Sequence, residues 1–196
     1  MSREGRTGKI NWIDPSLNLS PYKRGREKRR NMKHTISVLV ENKPGVLARI
    51  AGMFSGRGFN IKSLTVGETE DPDVSRMTIV VGGDDAVLDQ VNKQLNKLID
   101  VNKVIDMTKE KFIERQLALI KVSVTPSNRA EVMLVAEVYK AKIVDIGQKT
   151  FTVEATGGED KIDALVSFLK PFGIKEMVRT GAVALSREYQ KEEPKK

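Results

Sequence analysis

Apolar and polar residues alternate over HTISVLVE, residues 34–41, with Ile36, Val38 and Val40 on one side. A period of two predicts a strand with one buried face, and the following NKPG ends it. Over GVLARIAGMFSGRG the spacing lengthens to i, i+3, i+4, i+7. Leu47, Ile50, Ala51 and Phe54 then share one face of a helix. Gly56 and Gly58 stop it, because glycine accepts the left-handed C-cap. NIKSLTVGETE and VSRMTIVVGG read as two strands around a solvated EDPD turn, a hairpin. Residues 85–99 read as a helix through Leu88, Val91, Leu95 and Leu98, and VNKVIDMT as a fourth strand. The order is βαββαβ, the split βαβ or ferredoxin-like plan.

The plan then repeats. ERQLALIKVSV (114–124) predicts a strand, and 129–141 a helix facing inward through Val132, Val135, Ala136 and Tyr139. KIVDIGQ and TFTVEATGG predict a hairpin. Residues 160–169 predict a helix through Ile162, Leu165, Val166 and Leu169, and IKEMVRTGAVALSR a last strand. Shifting ISVLVENKPG by 84 positions lands on IKVSVTPSNR. The letters diverge but the element order matches, so the fold class is α+β with two domains of one topology. The expected boundaries are a tail over 1–32, a first domain over 33–109, a second over 110–188 with KEKFI at the join, and a charged end over 189–196.

Charge changes the picture only at one end. Residues 1–33 hold ten Lys and Arg against three acids, +7 of the chain's net +8. The folded part is nearly neutral, and PYKRGREKRR reads as a disordered basic leader, a polyanion-binding arm or a contact to a partner protein. Its acids argue against a transit peptide. The chain has no cysteine, which excludes disulfides and thiolate chemistry. Aromatics are 5% of residues, so the cores must be aliphatic. No apolar run approaches the length of a membrane span, and no signal-peptide core follows the start, so a soluble, intracellular protein is expected. An RNA-recognition domain shares the βαββαβ order but needs aromatics on its first and third strands, and TISVLV and VSRMTIVV have none.

Candidate chemistry concentrates in ENKPGVLARIAGMFSGRGFNI, residues 41–61. Gly45 opens the first helix, where backbone N–H groups lack partners and the dipole is positive. A residue without a side chain lets an anion approach them. Asn42 before it and Asn60 beyond the helix add amides, and Val40, Leu47 and Ile61 could line an aliphatic pocket. A free amino acid needs such a set. The competing reading is plain turn chemistry, with Pro44 pre-setting the helix start. In the second half Asn42 aligns with Pro126, Gly45 with Arg129 and Asn60 with Ile143 or Val144, so the plan can be built without them. Gly52 reads as a close packing contact. The glycines of 52–58 lie inside and after a helix, not before one, and are not a dinucleotide fingerprint. His34, the only histidine, reads as an exposed strand-edge residue. No spacing supports a metal site, and no serine has a base to activate it.

SVLVENKPGVLARIAGMFSGRGFNIKSLTVGETEDPDVSRMTIVV closely resembles the ACT domain of the small regulatory subunits of acetohydroxyacid synthase (acetolactate synthase). ERQLALIKV, KIVDI and RTGAVALSR are similar to the same family, which covers about 34–188. The resemblance implies two ferredoxin-like domains, the first an ACT domain, in a cytoplasmic, non-catalytic subunit without a cofactor of its own. It implies a large catalytic subunit as partner, carrying thiamine diphosphate, Mg2+ and FAD. It implies activation of that subunit and feedback inhibition by valine in branched-chain amino acid biosynthesis. Valine would sit between paired ACT domains of a homodimer, at Asn42, Gly45, Val46, Leu47, Asn60 and Ile61. Membrane and nucleic acid are not expected partners. The alternative is a stand-alone amino-acid-sensing ACT regulator that binds nucleic acid through the basic tail.

Overall fold

The computed structural model describes residues 32–109 and 111–187. The expected tails, 1–32 but for Met32 and 189–196, lie outside these residues. The first unit runs β1 (Lys33–Glu41), α1 (Val46–Gly56), β2 (Asn60–Glu68), β3 (Val74–Gly82), α2 (Asp85–Leu95) and β4 (Val101–Asp106). The second runs β5 (Phe112–Ser123), α3 (Arg129–Val138), β6 (Lys142–Ile146), β7 (Thr150–Gly157), α4 (Glu159–Leu169), β8 (Ile174–Arg179) and β9 (Val183–Ser186). The sheets are antiparallel, ordered β2-β3-β1-β4 and β6-β7-β5-β8. Two α+β units of ferredoxin-like topology result.

Each core lies between one sheet face and its two helices. In the first, Ile36, Val38 and Val40 of β1 and Met77, Ile79 and Val81 of β3 meet Ile50 and Phe54 of α1 and Leu88, Val91 and Leu95 of α2. In the second, Ala118, Ile120 and Val122 meet Val132, Ala136, Ile162, Leu165 and Leu169. The period-two and period-3.6 patterns therefore point to the same interior.

Local chemistry sets the helix ends. Phe59 N–H donates to Phe54 O and Gly58 N–H to Ser55 O, a Schellman closure with Gly58 at φ 68°. Its hydrophobic partner contact is present, since the Phe54 and Phe59 rings meet edge to face at 6.1 Å. At the start of α2 the Asp84 carboxylate accepts from Val87 N–H at 3.1 Å. Phe54 is 1% exposed and anchors α1 to both the core and this closure. Phe54→Ala is expected to destabilise the chain by about 3–5 kcal/mol, read as a lowered urea midpoint by circular dichroism.

Four expectations change. The inward face of α1 is Val46, Ile50, Met53 and Phe54, while Leu47 is exposed. Gly52 is not a packing contact, because a Cβ there would meet nothing within 4 Å. His34 is buried, its Nε2 3.2 Å from Gly83 O. The last strand is two: β8 completes the second sheet, and β9 leaves it to pair with Phe112–Arg115, which the sequence placed partly in a linker.

Candidate functional site

The turn between β1 and α1 is built from three directions. Asn42 N–H donates to Asp73 O at 2.8 Å and carries the strand end onto the β2–β3 turn. The Asn42 side chain extends that tie. Its Nδ2 donates to Glu68 Oε1 at 3.0 Å and Pro72 O at 2.9 Å, and its Oδ1 accepts from Ser75 Oγ at 3.0 Å. Asp71 Oδ1 accepts from Asp73 N–H at 3.0 Å and stiffens the same turn. On the other flank Arg49 of α1 pairs with Asp100, just before β4. Glu41, 2.9 Å from Lys43, hydrogen-bonds its ammonium and holds its pKa above the ordinary lysine value.

Gly45 is the N-cap of α1 at φ 88°, ψ −13°, the left-handed region. No side chain caps this helix, and a Cβ at Gly45 would meet nothing within 4 Å. Arg49 N–H is the first to close onto Gly45 O, at 2.9 Å. Of the four described helices, α1 alone has no acid in its first turn. Its positive end is thus uncovered and approachable.

The second unit shows the contrast. Asn128 is the N-cap of α3, at φ −110°, and its Oδ1 accepts from Thr125 N–H at 2.7 Å. Arg129 then folds over the turn, with Nη2 2.6 Å from Gln148 O. Side chains fill the region that Gly45 leaves open.

The six candidate residues do not all meet in one chain. Asn42, Gly45, Val46 and Leu47 are consecutive around the turn. Val46 is 4% exposed, so its side chain belongs to the core and only its backbone faces the turn. Leu47 is 44% exposed and projects outward. Asn60 and Ile61 begin β2, opposite Gly82 and Val81, and Gly82 in turn faces Lys33 at the start of β1. They therefore lie at the far end of the sheet from Asn42, roughly 25–30 Å away along nine-residue strands. Val40, another candidate lining residue, is buried in the core. Glu68 and Ser75, which hold Asn42, were missed by sequence reasoning. Only the strand register brings them there, and no local spacing signals it.

Residues 36–103 match the model of the AHAS small subunit-like ACT domain, and residues 115–188 that of the small subunit of acetolactate synthase. A probable acetolactate synthase small subunit from Archaeoglobus fulgidus is 56% identical over 82% of this chain and 100% of its own length. The chain belongs to the acetolactate synthase small-subunit family. An acetolactate synthase small subunit of Aquifex aeolicus is 54% identical over 87% of this chain and 89% of its own. The crystal structure of the Thermotoga maritima small subunit superposes with a TM-score of 0.75 at 40% identity, covering 81% of this chain and 99% of that one. The first family match spans β1 to β4 and so contains the uncapped turn. Membership places the chain in branched-chain amino acid biosynthesis and gives it a large catalytic subunit as partner. No described helix is long and apolar enough to cross a membrane.

Proposed function

We propose that this chain is the non-catalytic regulatory subunit of an acetolactate synthase, working in the cytoplasm. It activates the catalytic subunit, which carries thiamine diphosphate, Mg2+ and FAD, and makes it sensitive to valine. The ACT domain comprises 33–109 and the second domain 110–188. The observation that carries the reading is the open, left-handed Gly45 at an uncapped helix start, in a family whose small subunits share this domain.

Valine fits this turn through its two charges and its side chain. Its carboxylate would accept from the first-turn N–H groups of α1 beyond Val46, whose own N–H donates to Lys43 O, beginning with that of Leu47. Asn42 Oδ1, which already accepts from Ser75, has a second lone pair for the ammonium. Leu47 supplies apolar surface. Asn60 and Ile61 join from a second copy. β2 is an edge strand, and a two-fold axis pairs two such edges antiparallel. Asn60 of the second copy then lies at the Glu68 end, beside Asn42 and Gly45 of the first. Each ACT homodimer holds two equivalent sites, and the open face of α1 around Gly52 leaves room for the second copy.

Valine acts by linkage: it favours one arrangement of the pair, and the coupling to the catalytic subunit is about 1–3 kcal/mol. The test is acetolactate formation by the catalytic subunit alone and with this chain, across a valine titration. The chain is expected to raise the rate, valine to lower it, and the chain alone to turn nothing over. Activation that valine does not reverse would remove the effector reading and leave the subunit reading in place.

A further inference from the structure

The back of the first sheet, away from its helices, should face water on a polar pattern, yet it is buried. Thr65, Thr78 and Ser37 stand in one row across β2, β3 and β1, and Ser63, Val80 and Thr35 in the next. Ser37 is 0% and Thr78 3% exposed. What covers them is the end of the second unit. After β8 the chain crosses through Thr180–Ala182, and β9 pairs with Phe112–Arg115 to make a ribbon against this face.

The contact is close and uses small residues. Ala182 and Ala184 are buried. Ala182 N–H donates to Ser63 Oγ at 3.0 Å and Ala184 N–H to Thr78 Oγ1 at 3.4 Å. Ser186 Oγ lies 3.4 Å from Met107 Sδ. Gly181 is the nearest point. A Cβ there would lie 2.3 Å from Thr65 Oγ1, 2.7 Å from Ser63 Oγ and 3.0 Å from Leu64 O. Leu64 O is backbone, and Thr65 is β-branched with a stiff χ1, so neither yields freely. A side chain at 181 must part the two units.

Ser63, Leu64 and Thr65 all belong to β2, the edge strand that carries Asn60 and Ile61. We propose that the 180–186 crossover, with Gly181 at its closest approach, is the link through which the state of the β2 edge reaches the second unit. Gly181 is a positioning residue, and the proposal rests on the effector reading above. Packed surfaces this close do not slide continuously; they stay engaged or separate. Thr65 Oγ1 is buried without a hydrogen-bond partner. A lifted crossover would admit water to it, so the engaged position competes with a defined alternative.

The test compares the full chain with Gly181→Ala, Gly181→Val, Thr65→Ala and Thr65→Ala/Gly181→Ala. Valine binding is read by calorimetry, and inhibition in the complex with the catalytic subunit. Gly181→Val is expected to bind valine within about threefold of the parent while its inhibition midpoint rises about tenfold or more. Faster amide exchange at Ala182 and Ala184 should accompany this. Gly181→Ala should lose part of the response, and Thr65→Ala, by removing the nearest of the three close atoms, should recover some of it while the 2.7 Å approach to Ser63 Oγ remains. Intact binding with an unchanged inhibition curve in Gly181→Val overturns the link alone. A parent chain that binds no valine overturns the effector reading, and the link with it.

Discussion

Gly45→Asp is expected to abolish inhibition by valine while the chain still activates its catalytic partner. Two effects combine. A side chain at φ 88° is strained whatever the space, by about 1–2 kcal/mol. The carboxylate then sits at the positive end of α1, beside the N–H groups that the ligand carboxylate would use. It competes for those donors and repels the ligand. Hydrogen bonds to charged groups contribute about 1.5–3 kcal/mol, so valine affinity should fall roughly 10- to 150-fold. Gly45→Asn separates the causes, because Asn tolerates the left-handed region and carries no charge. It should retain more response than Asp. Gly45→Ala reports strain alone. Rates against valine concentration, with calorimetry on the isolated chain, decide it. An unchanged inhibition curve in Gly45→Asp would show that valine does not use this turn.

The interior was legible because one cause sets both pattern and packing. Ile36, Val38 and Val40 alternate since every second strand residue faces the helices, and Leu88, Val91 and Leu95 repeat at helical spacing for the same reason. Leu47 was misplaced because its neighbour Val46 fits the inward face equally well on spacing. Thr35 and Ser37 fall on the solvent side of the β1 alternation, because nothing nearby in the chain covers them. The cover comes from Ala182 and Ala184, about 150 residues on, and a period of two cannot report a partner at that distance. The splitting of the last strand at Thr180–Ala182 was hidden likewise, since its cause is the packing of Gly181 on β2.

Asn60 is the instructive case. It follows the C-terminal end of α1 in sequence, and Gly45 marks the N-terminal end. A helix of 11 residues is about 16 Å long and returns the chain to where β1 began. β2 runs in the same sense as β1, because both pair antiparallel with β3. A residue opening β2 therefore cannot reach the loop that ends β1 in the same chain. The topology needed to see this was already in the βαββαβ order. Its consequence is that a site using both ends must be shared.

That sharing leads to a second large effect. Gly45→Asp and Asn60→Ala chains, each insensitive to valine alone, are expected to regain inhibition when co-expressed. In a mixed dimer one site combines both lesions, and the other combines an intact turn with an intact Asn60. Random assortment leaves half the dimers mixed, so about a quarter of the sites are restored. Their valine affinity should match the parent's, because every contacting residue is present. The mixed dimer, isolated with two different affinity tags, should bind one valine where the parent binds two. A site contained within one chain gives neither result: each chain keeps its own lesion, and the mixture stays insensitive. Recovery of partial inhibition at the parent's midpoint therefore distinguishes a shared site from a local one. It also places Asn60 across the β2 edge, the strand whose other face meets Gly181.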